Sequence, residues 1–238
     1  METWYEEIGF YENPFSIKPG FLNSNIFGNE NLVDTLFKKI KSGKVCYVKG
    51  DYGFGKTALL KKIFEEFKGK KFIYYSCNIK EGNINFNELI YGKSLINRIF
   101  KLKSSDMVLL LDEVHELGKR DCETLVDYYK KGYFKSIILV SKSGESKFTF
   151  NLKRLVGKNR FEIDMIDDDE AIKLVRDRIG DRFFTDWDIK KLFHNSKKNP
   201  RLLLRNCEDV CRKAMISNEG RVDEQLIDEV AGFGAASS

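Results

Sequence analysis

Residues 50–57 of this 238-residue chain read Gly50-Asp51-Tyr52-Gly53-Phe54-Gly55-Lys56-Thr57. Their types and spacing suit the gripping of a phosphate chain, and they fill the pattern G-x-x-x-x-G-K-[ST] in full. Gly53 and Gly55 let the backbone fold tightly with its N–H groups turned inward. Those donors, with the positive end of a following helix, can surround a β-phosphate. Lys56 adds a point charge between β- and γ-phosphates, and Thr57 offers a hydroxyl to Mg²⁺. Asp51, Tyr52 and Phe54 fill the loop, and Ala58 carries it into the helix. Gly50 through Ala58 is therefore the expected cradle for a nucleoside triphosphate.

A second chemical cluster lies downstream, where Leu109-Leu110-Leu111 runs into Asp112-Glu113. An acidic pair at the end of a buried apolar strand faces the crevice that the phosphate loop faces in a parallel sheet. Asp112 is expected to hold magnesium together with Thr57. Glu113 is expected to orient and activate a water. Taken alone, the pair reads equally well as a solvated strand cap. Joined to the loop, it argues for hydrolysis beyond simple binding. His115 follows at once; it could polarise Glu113 or contact a neighbour, with a spectator at the strand end the favoured reading, and His194 reads as structural.

Those residues need a sheet and helices to hold them. From Lys44 the chain repeats strand, loop and helix. The strands expected are Lys44–Lys49, Lys71–Ile79, Met107–Val114, Ser136–Val140 and Phe161–Ile166. Helical spacing covers Asn29–Ile40, Ala58–Phe67, Phe86–Leu102 and Arg120–Phe134. Strands alternating with helices imply βαβ units and a parallel sheet covered on both faces. After Ile166 the pattern is all-helical, over Asp167–Gly180, Asp186–Asn195, Pro200–Ser217 and Asp223–Val230. The first stretch, to about Ser24, is irregular and aromatic, with turns at Asn13-Pro14 and Pro19-Gly20. The expected fold is an α/β P-loop sheet flanked by helices, followed by a small helical lid. The expected organisation is an aromatic segment over 1–28 packing on the core, an α/β nucleotide domain over 29–166, a lid over 167–232 and a flexible tail over 233–238.

Composition narrows the function classes. Forty-one Lys+Arg against thirty-six Asp+Glu leave a formal charge of +5. That permits nucleic-acid contact without arguing for it alone. There is no run of about 20 apolar residues to span a membrane, and the acidic start lacks the pattern of a secretory leader. Cys46, Cys77, Cys122, Cys207 and Cys211 are scattered without a C-x-x-C pair, so neither zinc nor a disulfide framework is signalled. Reduced thiols fit the cytoplasm.

With these motifs in place, the chain resembles the AAA+ ATPases, in the branch of archaeal and eukaryotic origin-recognition and initiator-loader proteins. The likeness runs from about Asn13 to about Ser217. Ile26-Phe27-Gly28-Asn29-Glu30 resembles the segment that lines the adenine pocket, which implies Ile26 and Phe27 as base contacts. Asn199-Pro200-Arg201 resembles the second sensor in the lid, which implies Arg201 as a γ-phosphate contact. For the first sensor, at the end of the fourth strand, the resemblance points to Lys142, with Ser143 next. Where the family keeps a finger that enters a neighbour's site, the sequence has Arg154 and Arg160. Such initiators carry a winged-helix domain after the lid. Here DNA contact is expected from the ATPase core, from a partner, or not at all. Asn13-Pro14-Phe15-Ser16 and Asp112-Glu113-Val114-His115 are also similar to transposition and secretion ATPases.

The resemblance implies ATP and Mg²⁺ as cofactors. Double-stranded DNA, and a protein partner or further copies of the chain, are the implied partners. The expected function is ATP hydrolysis that switches assembly on DNA or loads a partner, in replication initiation. Two alternatives stay open: delivery of target DNA to a transposase, and an ATP-dependent adaptor that touches no DNA. A metabolic phosphotransferase ranks last.

Overall fold

A computed structural model describes residues 3–17, 25–67, 72–79, 82–91, 106–216, 222 and 224–236. The strands are β1 (Val45–Lys49), β2 (Phe72–Ser76), β3 (Met107–Asp112), β4 (Phe134–Ser141) and β5 (Arg160–Glu162). The helices are α1 (Trp4–Glu7), α2 (Glu30–Lys41), α3 (Lys56–Glu66), α4 (Phe86–Tyr91), α5 (Lys119–Lys130), α6 (Phe150–Val156), α7 (Asp168–Ile179), α8 (Asp186–Asn195), α9 (Pro200–Ile216) and α10 (Glu224–Ala236). The Pro19-Gly20 turn and the stretch of the expected Phe86–Leu102 helix beyond Tyr91 lie outside the described residues. None of the described helices is long and apolar enough to cross a membrane.

The chain divides into two compact units. One comprises Glu30–Tyr52 and Lys56–Ile163, the other Met1–Asn29, Gly53–Gly55 and Asp164–Ser238.

The first unit is built on a five-stranded sheet in the order β2-β3-β4-β1-β5, parallel throughout. Every residue of β3 is buried, and β4 is buried except at Lys135. Such uninterrupted apolar runs belong to central strands covered on both faces. Ser136 is the polar exception inside β4, and its hydroxyl donates to the Lys44 carbonyl at 2.6 Å. Leu109, Leu111, Ile137 and Leu139 meet Leu125 of α5 and Leu152 of α6 in the main core. The register sets Ser76 beside Asp112 and Lys49 beside Ser141, so the carboxyl ends of four strands finish at one rim.

Two boundaries differ from expectation for identifiable reasons. The third strand stops at Asp112, not Val114, because Glu113 turns left-handed (φ 53°, ψ 41°). The fifth ends at Glu162, because beyond it the backbone of Asp164 is taken by a side chain. The Asn29 amide donates to the Asp164 carbonyl at 3.1 Å and accepts from its N–H at 2.9 Å.

The second unit packs α7 to α10 around Val175, Leu192, Leu203, Cys207 and Val210. Phe15 from the amino-terminal segment is fully buried in that core, with Trp4 and Phe10 packed against it. Two of its helices begin on reciprocal caps, which satisfy otherwise orphaned N–H groups. Asp167 accepts from the Glu170 N–H while Glu170 accepts from the Asp167 N–H, both at 2.8 Å. Thr185 and Asp188 repeat the device on α8. His194 contacts both carboxylate oxygens of Asp168 at 3.1 Å, which ties α8 to α7 and holds that carboxyl below its usual range. Helix α10 runs on through the two glycines to Ala236, beyond the expected end at Val230.

Candidate functional site

The phosphate loop springs from the end of β1. The Gly50 N–H donates to the Ser141 carbonyl at 3.0 Å, which pins the loop's start to the end of β4. A side chain at Gly50 would press on Ile163 at 3.1 Å, so only glycine lies easily there. Gly53 (φ +90°) and Gly55 (φ +86°) take backbone angles that residues with a side chain rarely adopt. Asp51, Tyr52 and Gly55 are exposed, Phe54, Thr57 and Ala58 half-buried.

Lys56 opens α3 and is buried. Its ammonium donates to the Asp51 carbonyl at 2.8 Å, across the chord of the loop. Burial pulls its pKa below the usual lysine range. The carboxylates of Glu113, Asp112 and Asp51 oppose that fall, and the charge of Lys142 adds to it. A desolvated cation facing acids is suited to receive polyanionic oxygens.

Thr57 Oγ1 donates to Asp112 Oδ2 at 2.8 Å. Thus a helix's first turn and a strand's last residue, 55 positions apart, meet in one hydrogen bond. Tyr74 Oη of β2 reaches the same oxygen at 3.3 Å, and the Glu113 N–H donates to Asp112 Oδ1 at 2.9 Å. Burial, and then the Asp112 charge, push the Tyr74 phenol up to about 12. Thr57 and Asp112 offer hard oxygen donors, which suits Mg²⁺. No group of three or more His, Cys, Asp or Glu among the described residues forms a metal cluster.

Glu113 follows in its left-handed conformation, an angle that costs a residue bearing a Cβ about 1–3 kcal/mol. Its Oε2 lies 3.2 Å from His115 Nδ1. The other ring nitrogen of His115 lies 3.2 Å from Glu116 Oε1. Ser141 Oγ stands 3.5 Å from Nδ1 and accepts the Ser143 N–H at 3.2 Å. The Ser143 carbonyl in turn accepts from Tyr47 Oη.

Among the residues expected from sequence, this unit brings Lys56, Thr57, Asp112 and Glu113 together. Lys142 is exposed, with its charge felt at Lys56. Arg154 is exposed on α6 and makes no hydrogen bond or ion pair among the described residues. Arg160 is held by Glu145, at 2.6 and 3.0 Å. Of the two readings of His115, the structure favours the one less expected, since its ring contacts Glu113. Ser141 and Tyr74 were not singled out from sequence. The signal for Ser141 was a lone hydroxyl closing an aliphatic strand at the rim, and for Tyr74 a phenol on the strand beside the acidic one.

Arg201, Ile26 and Phe27 belong to the second unit, together with Gly53–Gly55. Arg201 is half-buried and second in α9, behind Pro200 at the first helical position, where a missing N–H costs nothing. Asn199 caps that helix, its Oδ1 accepting from Arg201 N at 3.0 Å and Leu202 N at 3.2 Å. In the same unit a Cβ on Gly53 would run into the Asn199 side chain. Ile26 and Phe27 are half-buried just before Gly28 (φ +75°), where a Cβ would strike the Glu170 carboxylate.

Residues 46–147 match the family described as ATPase family associated with various cellular activities (AAA). No curated protein shows a significant match to the sequence. Among solved structures, the chain is similar to Cdc6p from Pyrobaculum aerophilum, with 14% identity and a TM-score of 0.71 over 91% of this chain and 69% of that one. It is similar to Aeropyrum pernix Orc1, a structure in complex with DNA, with 14% identity and a TM-score of 0.74 over 93% and 69%. It is also similar to the Thermotoga maritima RuvB Holliday junction branch migration motor, with 17% identity and a TM-score of 0.65 over 87% and 70%. At these identities the likeness establishes the fold, a five-stranded AAA+ P-loop sheet with a helical carboxyl-terminal part.

Proposed function

We propose that this chain, whose residues 46–147 match the AAA ATPase family, binds and hydrolyses ATP with Mg²⁺ and uses the cycle to switch its assembly on DNA or to load a partner protein. The observation that carries the hydrolytic reading is the 2.8 Å bond between Thr57 Oγ1 and Asp112 Oδ2, which joins the phosphate loop to the acidic strand end. The DNA-facing part rests on the likeness in fold to Cdc6p and to Orc1, the latter solved with DNA, together with the basic balance of +5. A role in replication initiation is the specific form proposed.

In this reading each residue has a task. The loop amides and the amino end of α3 bind the phosphate chain. Lys56 contributes a buried positive charge. Thr57 and Asp112 would hold the magnesium, which when bound supplies positive charge against the phosphate oxygens. Glu113 orients the attacking water, and Lys142 stands beside the loop as the first sensor. Arg201 contacts the γ-phosphate from the lid helix, and Ile26 and Phe27 line the base. Arg154 is the finger offered to a neighbouring copy, which implies slow turnover by isolated chains.

Phosphate release from ATP by the purified chain tests the reading. Glu113→Gln should keep nucleotide binding and lose turnover; normal turnover in that variant removes Glu113 from its role. Binding to duplex DNA should depend on ATP and weaken steeply with added salt. Absence of binding at low salt, with and without ATP, overturns the DNA-facing part.

A further inference from the structure

We propose that His115 is a positioning residue for Glu113, anchored through Ser141 to the end of β4. The inference rests on the reading of Glu113 as the water-orienting carboxylate. Its basis is a chain of contacts at the rim: Ser141 Oγ to His115 Nδ1 at 3.5 Å, and His115 Nδ1 to Glu113 Oε2 at 3.2 Å.

The local backbone explains why these groups meet. Glu113 in its left-handed conformation ends β3 and starts a single turn, Val114–Glu116, closed by the Glu116 N–H on the Glu113 carbonyl at 3.0 Å. Val114 and Leu117 are fully buried and nail the turn to the core. That leaves His115 between two nailed residues, its ring folded back along the rim towards the side chain two positions earlier. Each ring nitrogen faces a carboxylate oxygen, Glu113 on one side and Glu116 on the other. A carboxylate oxygen only accepts, so the contact between Nδ1 and Glu113 requires the ring proton on Nδ1.

The consequence is geometric. A glutamate carries three side-chain torsions, and a water-orienting carboxylate works only in a narrow range of them. A donor on one oxygen fixes the rotamer and leaves the other oxygen for water. Ser141, fully buried on a central strand, gives the ring a second contact. His115 touches neither nucleotide nor water in this scheme, and it acts through Glu113.

Steady-state ATP hydrolysis by His115→Ala and His115→Asn, beside wild type, tests this on the full chain. Fluorescent-ATP binding is measured on the same preparations. Asn carries a donor near the position of Nδ1 and so preserves the contact. The expected result is a kcat lowered roughly tenfold in His115→Ala, KM and nucleotide affinity within about twofold of wild type, and kcat largely restored in His115→Asn. Unchanged or raised kcat in His115→Ala overturns the inference while leaving the ATPase reading intact. Equal loss in both variants, or lost nucleotide affinity, also overturns it, since either outcome reports a bulk structural role. Wild type that binds ATP but releases no phosphate overturns the ATPase reading, and this inference with it.

Discussion

Arg160 grips Glu145 through two nitrogens, Nε to Oε1 at 2.6 Å and Nη2 to Oε2 at 3.0 Å, while also donating to the Lys153 carbonyl at 3.3 Å. That engagement separates the two arginines that sequence alone left side by side. Arg160 spends its fork within its own chain, whereas Arg154 presents its guanidinium to solvent. Exposed pairs of this kind contribute about 0.2–1 kcal/mol. Arg160→Ala should therefore lower Tm by about 1–3 °C. Arg154→Ala should leave Tm in place and lower the ATPase rate of the assembled protein. Thermal scans and concentration-dependent turnover read both, and a stable, fully active Arg154→Ala assembly removes it as the finger.

Lys56 gives a pH-dependent prediction. Burial holds its pKa below the ordinary lysine value of 10.5. The unfolded chain then keeps the proton over a pH range in which the folded chain has released it. Stability rises with pH across that range, because the unfolded state binds more protons there. The burden of a buried cation is thus fully present at neutral pH and lifts as pH climbs towards 10.5. Lys56→Met should raise the Tm of the nucleotide-free chain at neutral pH, with a margin that shrinks on the alkaline side. The same variant should lose most nucleotide affinity. A lower Tm at neutral pH contradicts this account.

Asp112 should act through the metal. Asp112→Asn keeps the shape but loses the charge on Oδ2, the oxygen that accepts from Thr57 and Tyr74. Nucleotide affinity measured with magnesium should fall in this variant, while affinity measured in chelator should change little. Equal losses in both buffers would point to a distorted loop.

The cap of α9 predicts a purely structural effect. Asn199 satisfies two N–H groups at the start of that helix. Asn199→Ala removes both bonds and should cost about 1 kcal/mol, a drop in Tm of about 2–4 °C. Asn199→Asp, which keeps the accepting oxygen, should restore most of it. Circular dichroism melts of the two variants settle the point.

What the sequence disclosed and what it hid follow from the range of each interaction. The loop was legible because its chemistry is local: glycines, lysine and threonine must be neighbours. Strands β3 and β4 were legible because burial on both faces leaves uninterrupted aliphatic runs. Helix α6 was missed, although Thr149 caps it and Gly157 ends it, because seven residues give too little periodic signal. The shortened β5 depended on Asn29 bonding to Asp164, 135 positions away, and no local pattern announces such a pair. Ser141 and Tyr74 stayed hidden for the same reason, since only strand order puts them at the acidic rim. For His115 the sequence favoured a spectator over a partner of Glu113, because that contact depends on a backbone reversal at Glu113, and glutamate gives no warning of one.

The place of β4 between β1 and β3 has a further consequence. Neighbouring strands stand about 4.8 Å apart, so the interposed strand holds the ends of β1 and β3 about 10 Å from each other. β4 is thus a spacer as well as a core element. A bulge introduced within it should shift the register of Lys49 against Ser141 while every residue at the rim keeps its identity.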